Sequence, residues 1–247
     1  MPDPIVRPTD LTATGGFRVV PVADAEAAKD VAARALAEAI AAVRAGGAAR
    51  VRLALSGGGT PVGAYERLAS LVEDWPAVDV FLADERCVPY GDDDSNARLV
   101  DDAIGRDRGY VLHRLPESGT AADRARAYAH DLGAEPLDVV LLGLGEDGHT
   151  ASLFPRHPAL EADGVTVAVV DSPKPPPERV SLTLPALRAA PHLILLVTGE
   201  GKSEALSRTL TTQGVEAPAS LLPAETLLVI ADEAALTQAR ADGAFEA

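Results

Sequence analysis

Seven short runs rich in Val, Leu and Ile punctuate the chain, at 51–55, 78–82, 111–115, 137–142, 165–170, 193–197 and 227–230. Helical stretches lie around and between them, at 24–44, 61–71, 96–104, 121–132 and 203–211. Strand-then-helix alternation at this spacing leaves few options. It predicts βαβ units, an α/β fold and a mostly parallel central sheet flanked by helices on both faces. Right-handed crossovers then place any ligand at the carboxyl ends of the strands. Only 4% of residues are aromatic against 47% apolar, so the core must be built from Ala, Val and Leu.

The 247 residues show no repeat and no linker, and residues 1–247 are expected to form a single domain. The one composition shift, "DSPKPPPERV" at 171–180, is too short to join domains and reads as an exposed, stiff loop. The N-terminal "MPDPIVRPTD" and the tail after Asp242 read as flexible. One cysteine, Cys87, excludes an internal disulfide. With no secretory pattern and no apolar run near membrane length, a cytoplasmic protein is expected. A formal charge of −15 argues against nucleic acid, and no membrane association is expected. Only Lys29, Lys174 and Lys202 are lysines, so cations in loops are informative.

Three strand ends carry glycine turns. The first, "LALSGGGTPVGAYERLA", places Gly57, Gly58 and Gly59 between a strand and a helix expected to open at Thr60 and Pro61. Such a turn suits a phosphate or carboxylate at a helix N-terminus, although a plain tight turn would use glycine too. The second, "LILLVTGEGKSEAL", puts Lys202 at a helix start, where an anion would offset its charge. A nucleotide P-loop would need glycine at position 196, which is Leu196.

The third, "LDVVLLGLGEDGHTASLFP", contains G-x-G-x-x-G at Gly143, Gly145 and Gly148. A dinucleotide there would meet Glu146 and Asp147, and Pro155 cuts short any helix. The stretch offers instead Asp147 and His149, a carboxylate able to orient an imidazole that accepts a proton near neutral pH. A fourth strand end, "VFLADERCVPYGDDDSNARLV", supplies Asp84, Glu85 and Arg86, with Asp92–Asp94 and Ser95-Asn96 reading as a helix-capping loop. No metal-ligand spacing occurs, and no metal or cofactor is expected.

Taken together, "SGGGTP", "ADERCVP…DDSN", "GLGEDGHTASLFP" and "VTGEGK" resemble, in order and spacing, the 6-phosphogluconolactonases. The wider group includes the glucosamine-6-phosphate deaminases and shares a Rossmann-like α/β fold. The resemblance spans about 23–230. The deaminase pattern resembles D-G-H-I-A-F-N-E-P, with a glutamate five residues after the histidine; here that residue is Phe154. The resemblance implies hydrolysis of 6-phospho-D-glucono-1,5-lactone without a covalent intermediate. His149, supported by Asp147, would be the general base. Gly57, Gly58, Gly59, Thr60, Lys202 and Arg179 would bind phosphate. Arg86 would sit near the phosphate or the lactone, and Asp84 matches a deaminase proton-transfer position. The expected partner is a small phosphosugar lactone, and the chain a monomer or weak homo-oligomer. The competing readings are a deaminase/isomerase and a non-catalytic sugar-phosphate sensor.

Overall fold

The structure, a computed structural model, describes residues 10–245. It opens with a hairpin of β1 (Leu11–Thr12) and β2 (Arg18–Val22), followed by α1 (Ala25–Ala45). Asp24 caps α1 by accepting from the Ala27 amide at 2.9 Å, and Gly46 ends it. Then come β3 (Val51–Leu55), α2 (Gly59–Leu71), β4 (Val78–Leu82), β5 (Asp84–Arg86), α3 (Asn96–Ile104) and β6 (Val111–Leu112). The second half holds α4 (Ala121–Leu132), β7 (Val139–Gly143), β8 (Thr166–Val169), β9 (Arg179–Leu182) and α5 (Leu184–Arg188). It ends with β10 (His192–Val197), α6 (Ser203–Thr211), β11 (Leu227–Asp232) and α7 (Glu233–Ala241).

Eight strands form the main sheet in the order β1-β2-β11-β10-β7-β3-β4-β6, parallel throughout except for the β1–β2 pair. From β3 the chain winds outward through β4 to β6. It then returns to lay β7 against the other side of β3 and continues to β10 and β11. The direction reverses between β3 and β7, where loops leaving the strand tips diverge and open a crevice. Successive strand residues face opposite layers. Val140 and Leu142 join α4, α6 and α7 on one face, while Val139 and Leu141 meet α1, α2 and α3 on the other. Buried Ala, Val and Leu supply most of both layers. Truncating a sealed side chain such as Leu141 to Ala would cost about 2–5 kcal/mol.

Four expectations need correction. The run 165–170 does not enter the parallel sheet. Its core, β8, pairs antiparallel with β9, which pairs with β5, in a separate three-stranded sheet. No α-helix lies between β7 and β8, so no crossover returns β8 in parallel. The 111–115 run shortens to the two residues of β6 at the sheet edge. α2 begins at Gly59 with Gly58 as its cap residue, so Thr60 lies inside the helix, its hydroxyl 2.9 Å from that of Thr198. After Asp242 the chain is docked. Ala244 is fully buried and accepts from the Thr14 amide at 2.7 Å, and Phe245 bridges to Ala13. Residues 1–9 and 246–247 of the expected flexible ends lie outside the described residues.

β2 and α7 had no sequence signal strong enough to be read. Pro21 interrupts the β2 pattern, and β1 pairs only with Arg18 and Val19, so beyond them β2 is an edge that tolerates a missing N–H. Among the described residues no helix is long and apolar enough to cross a membrane.

Candidate active site

A cavity of about 390 Å³ opens at the carboxyl ends of β3, β4, β7 and β10, astride the β3/β7 reversal. All three glycines of the first turn, Thr60 and Lys202 line it, as do Asp84, Arg86, His149 and Arg179. Asp147, which orients His149, stands behind the wall.

The glycine turn is anchored from below. The Ser56 amide donates to the Leu141 carbonyl at 3.1 Å, and the buried Tyr65 hydroxyl donates to the Ser56 carbonyl at 2.7 Å. Gly58 has φ +108°, a left-handed region that L side chains avoid. Among the described residues no acceptor engages the amides of Gly57, Gly58 and Gly59, which leaves the start of α2 able to receive an anion. Gly59 has open space around its Cα hydrogen.

Lys202 ends a one-turn 3₁₀ segment, Glu200–Lys202, that leads into α6. The turn before it is held by Asp232, whose two carboxylate oxygens each accept from the Gly199 amide at 3.0 Å. The Lys202 ammonium is 3.8 Å from Glu146, an exposed carboxylate, and burial lowers its pKa from the usual lysine value. It is a partly desolvated cation with a loose partner, free to meet an anion.

Beyond β7 the chain turns back on itself. The Gly145 amide donates to the His149 carbonyl at 2.8 Å, and the Thr150 hydroxyl to the Gly143 carbonyl at 2.9 Å. His149 Nδ1 lies 2.5 Å from Asp147 Oδ1. Burial alone would raise the Asp147 pKa. The hydrogen bond and charge of His149 outweigh it and hold the carboxyl below its ordinary value. An ionised carboxylate can only accept, so Nδ1 carries the hydrogen and Nε2 is left as the basic nitrogen. The Phe154 ring packs on the imidazole, centroids 4.6 Å apart. This pair exists because residue 145 has no side chain: a Cβ there would stand 2.0 Å from Nδ1 and 2.6 Å from Asp147 Oδ1.

β5 delivers Asp84 and Arg86 to a third wall. Asp84 is buried, with Oδ2 accepting from Ser152 Oγ at 2.6 Å. Glu85 turns the other way and accepts from the Asn96 and Ala97 amides, fixing α3. Arg86 Nη1 donates to the Asp94 carbonyl at 2.7 Å. Arg179 is more engaged than its place after the prolines indicates. Its Nε and Nη2 donate to the carbonyls of Lys174, Pro175 and Pro176, which leaves Nη1 toward Ser152 and, at 4.0 Å, Asp84.

Three site residues carry little sequence signal. Lys174 lines the cavity from the proline loop that Arg179 braces; its rarity as one of three lysines is the available clue. Asn96 also lines the cavity, where the sequence offers only a cap. Asp232 is a brace reached by no local pattern. Among the other histidines, His113 sits between Asp79 and Asp131, and His157 beside Asp171, away from the cavity. Among the described residues no three His, Cys, Asp or Glu side chains gather as a metal site requires.

The chain is similar to proteins already known. Residues 23–230 match the family described as glucosamine-6-phosphate isomerases/6-phosphogluconolactonase. The chain is similar to a 6-phosphogluconolactonase of Streptomyces coelicolor, 37% identical over 167 residues, or 60% of this chain and 64% of the relative. One from Rattus norvegicus is 38% identical over 174 residues, 62% of this chain and 65% of the relative. The matched region thus spans a little under two thirds of each relative's length. A solved 6-phosphogluconolactonase from Shewanella baltica OS155 is 31% identical, with a TM-score of 0.78 over 87% of this chain and 97% of that one. With the four ordered motifs and the strand-tip loops that carry them all within the matched span, the chain belongs to the glucosamine-6-phosphate isomerase/6-phosphogluconolactonase family.

Proposed function

We propose that this chain hydrolyses 6-phospho-D-glucono-1,5-lactone to 6-phospho-D-gluconate, the second step of the oxidative pentose phosphate pathway. One observation carries the reading: an imidazole tied to an ionised carboxylate shares a single cavity with a glycine-lined helix start and a half-buried lysine. The amides of Gly57–Gly59, Thr60 and Lys202 hold the phosphate. Arg86 and the buried guanidinium of Arg179, which also lines the cavity, add positive charge, against a chain whose formal charge is −15. His149 Nε2 takes a proton from water as its oxygen bonds to C1. The tetrahedral oxyanion collapses, the bond from C1 to the ring oxygen breaks, and that oxygen leaves as a hydroxyl with the proton from the imidazolium. Asp147 stabilises the transient positive ring. Asp84 keeps the β5 wall in place through Ser152 and Asn96.

Phe154 argues against deamination, because a phenyl ring packed on His149 cannot exchange a proton during ring opening. A sensor would bind without turnover. We further read 23–230 as the core of one domain and, with a single cysteine, place the protein in the cytoplasm. The test is a coupled assay with fresh lactone, corrected for spontaneous opening. His149→Ala should lose about 10²–10⁴-fold in kcat. An unchanged rate in that variant removes the base. Lys202→Ala should raise KM, and an unaltered KM removes the phosphate assignment.

A further inference from the structure

Folded proteins leave few buried polar atoms without a partner, because each such atom gives up its hydrogen bonds to water and regains none. Among the described residues three such atoms, Ser56 Oγ, Arg86 Nε and Asn96 Oδ1, belong to residues lining the cavity. Asn96 is only 1% exposed. Its amide orientation is fixed by chemistry: Nδ2 faces two acceptors, the Asp84 carbonyl at 2.8 Å and Asp84 Oδ1 at 3.4 Å. Oδ1 must therefore point the other way, over Gly57, where a Cβ would come within 1.8 Å of it. The Asn96 backbone amide is also used, donating to Glu85. Ser56 is alike: amide and carbonyl are bonded to Leu141 and Tyr65, while the hydroxyl is not. Asn96 is held by its side-chain nitrogen and Ser56 by its backbone, so in each residue the unmet oxygen is not the group that anchors it.

The unmet groups dictate what can satisfy them. Asn96 Oδ1 is an acceptor, so a phosphate dianion, which offers only lone pairs, is repelled there. A neutral hydroxyl donates to it and can also bond Ser56 Oγ. We infer that Asn96 and Ser56 form a hydroxyl-reading wall, in which Asn96 Oδ1 accepts from a ring hydroxyl of a polyhydroxylated phosphosugar and Ser56 Oγ bonds the same or an adjacent hydroxyl. The inference deepens the lactonase reading and rests on it for its substrate. It makes these residues determinants of specificity at the sugar, separate from the phosphate end. Gly57 then serves to clear space for the Asn96 carbonyl as well as to form the turn.

The experiment compares wild type, Asn96→Ala and Ser56→Ala on the phosphorylated lactone and its 2-, 3- and 4-deoxy counterparts, with calorimetry of 6-phosphogluconate and inorganic phosphate. Wild type should lose roughly 10- to 100-fold in kcat/KM on at least one deoxy lactone. Asn96→Ala should lose a similar factor on the parent lactone, and that discrimination should collapse, with inorganic phosphate binding unchanged. Ser56→Ala leaves the Asp84 brace intact and should show the same pattern, so a folding defect in Asn96→Ala does not decide the matter. Equal losses on parent and deoxy lactones in both variants would mean a scaffolding role and overturn the inference. Unchanged rates would mean that solvent alone serves these atoms, and would overturn it equally. If wild type fails to turn over the lactone, the proposed reaction falls, but the wall is still judged by binding. Preference for 6-phosphogluconate over inorganic phosphate that both variants lose supports it; no such preference in wild type overturns it.

Discussion

Two glycine-rich turns stand side by side at the tips of β3 and β7, and glycine does opposite work in them. After β3, Gly58 supplies a positive φ and Gly59 an uncluttered approach, so the backbone itself faces the cavity at the start of a thirteen-residue helix. After β7 no α-helix opens from the turn, and Gly145 is needed because His149 and Asp147 occupy the place of its side chain. One turn offers amides to a ligand, and the other makes room for a catalytic pair. Similar composition at neighbouring strand ends thus encodes binding in one case and chemistry in the other. The glycine spacing alone does not separate them. The presence or absence of a helix directly after the turn does.

The largest test of this contrast is Gly145→Ala. The added methyl must push His149 off Asp147, and kcat should fall about 10²–10⁴-fold with the chain still folded by circular dichroism. Wild-type kcat would erase the distinction. Next, Gly59→Ala adds a methyl that meets no protein atom, so stability should hold or rise by about 0.5–1 kcal/mol in thermal unfolding. KM should nevertheless rise about tenfold, one lost charge-assisted hydrogen bond's worth, if a phosphate approaches there. A KM equal to wild type would place the anion elsewhere.

The smallest effect concerns acid. The Asp147 carboxyl is held below its ordinary value, so in the folded chain it stays ionised where an unfolded chain already binds a proton. Its stabilisation is complete above about pH 4 and is lost as pH falls through the depressed folded value. Asp147→Asn should therefore have a Tm below wild type by about 2–4 °C at neutral pH, a gap that narrows below pH 4. A gap independent of pH would show that the pair contributes no linked protonation.

Much of this was legible in sequence. Periodic apolar runs marked β3, β4, β7, β10 and β11, and cap residues such as Asp24 and Ser95 fixed helix starts, since both signals act within a few residues. The glycine turns, the Asp147–His149 pair and Lys202 were likewise local. The three-stranded sheet was not. Asp84 pairs with Ser181 and Arg86 with Arg179 across nearly a hundred residues, and no periodicity in either segment announces the other. The burial of Arg179 against its own loop carbonyls, the reach of Lys174 into the cavity and the grip of Asp232 on Gly199 depend on the same long-range packing.

The sequence by itself determined the layered α/β plan and the kinds of group available at each strand tip, because hydrophobic period and turn chemistry are properties of short segments. Only the tertiary structure decided which tips share one cavity, that Phe154 packs on His149, and that Asn96 and Ser56, which line that cavity, each bury a polar atom with no partner among the described residues. Those outcomes depend on burial, and whether a side chain is buried or unpaired is settled by neighbours that arrive from elsewhere in the chain.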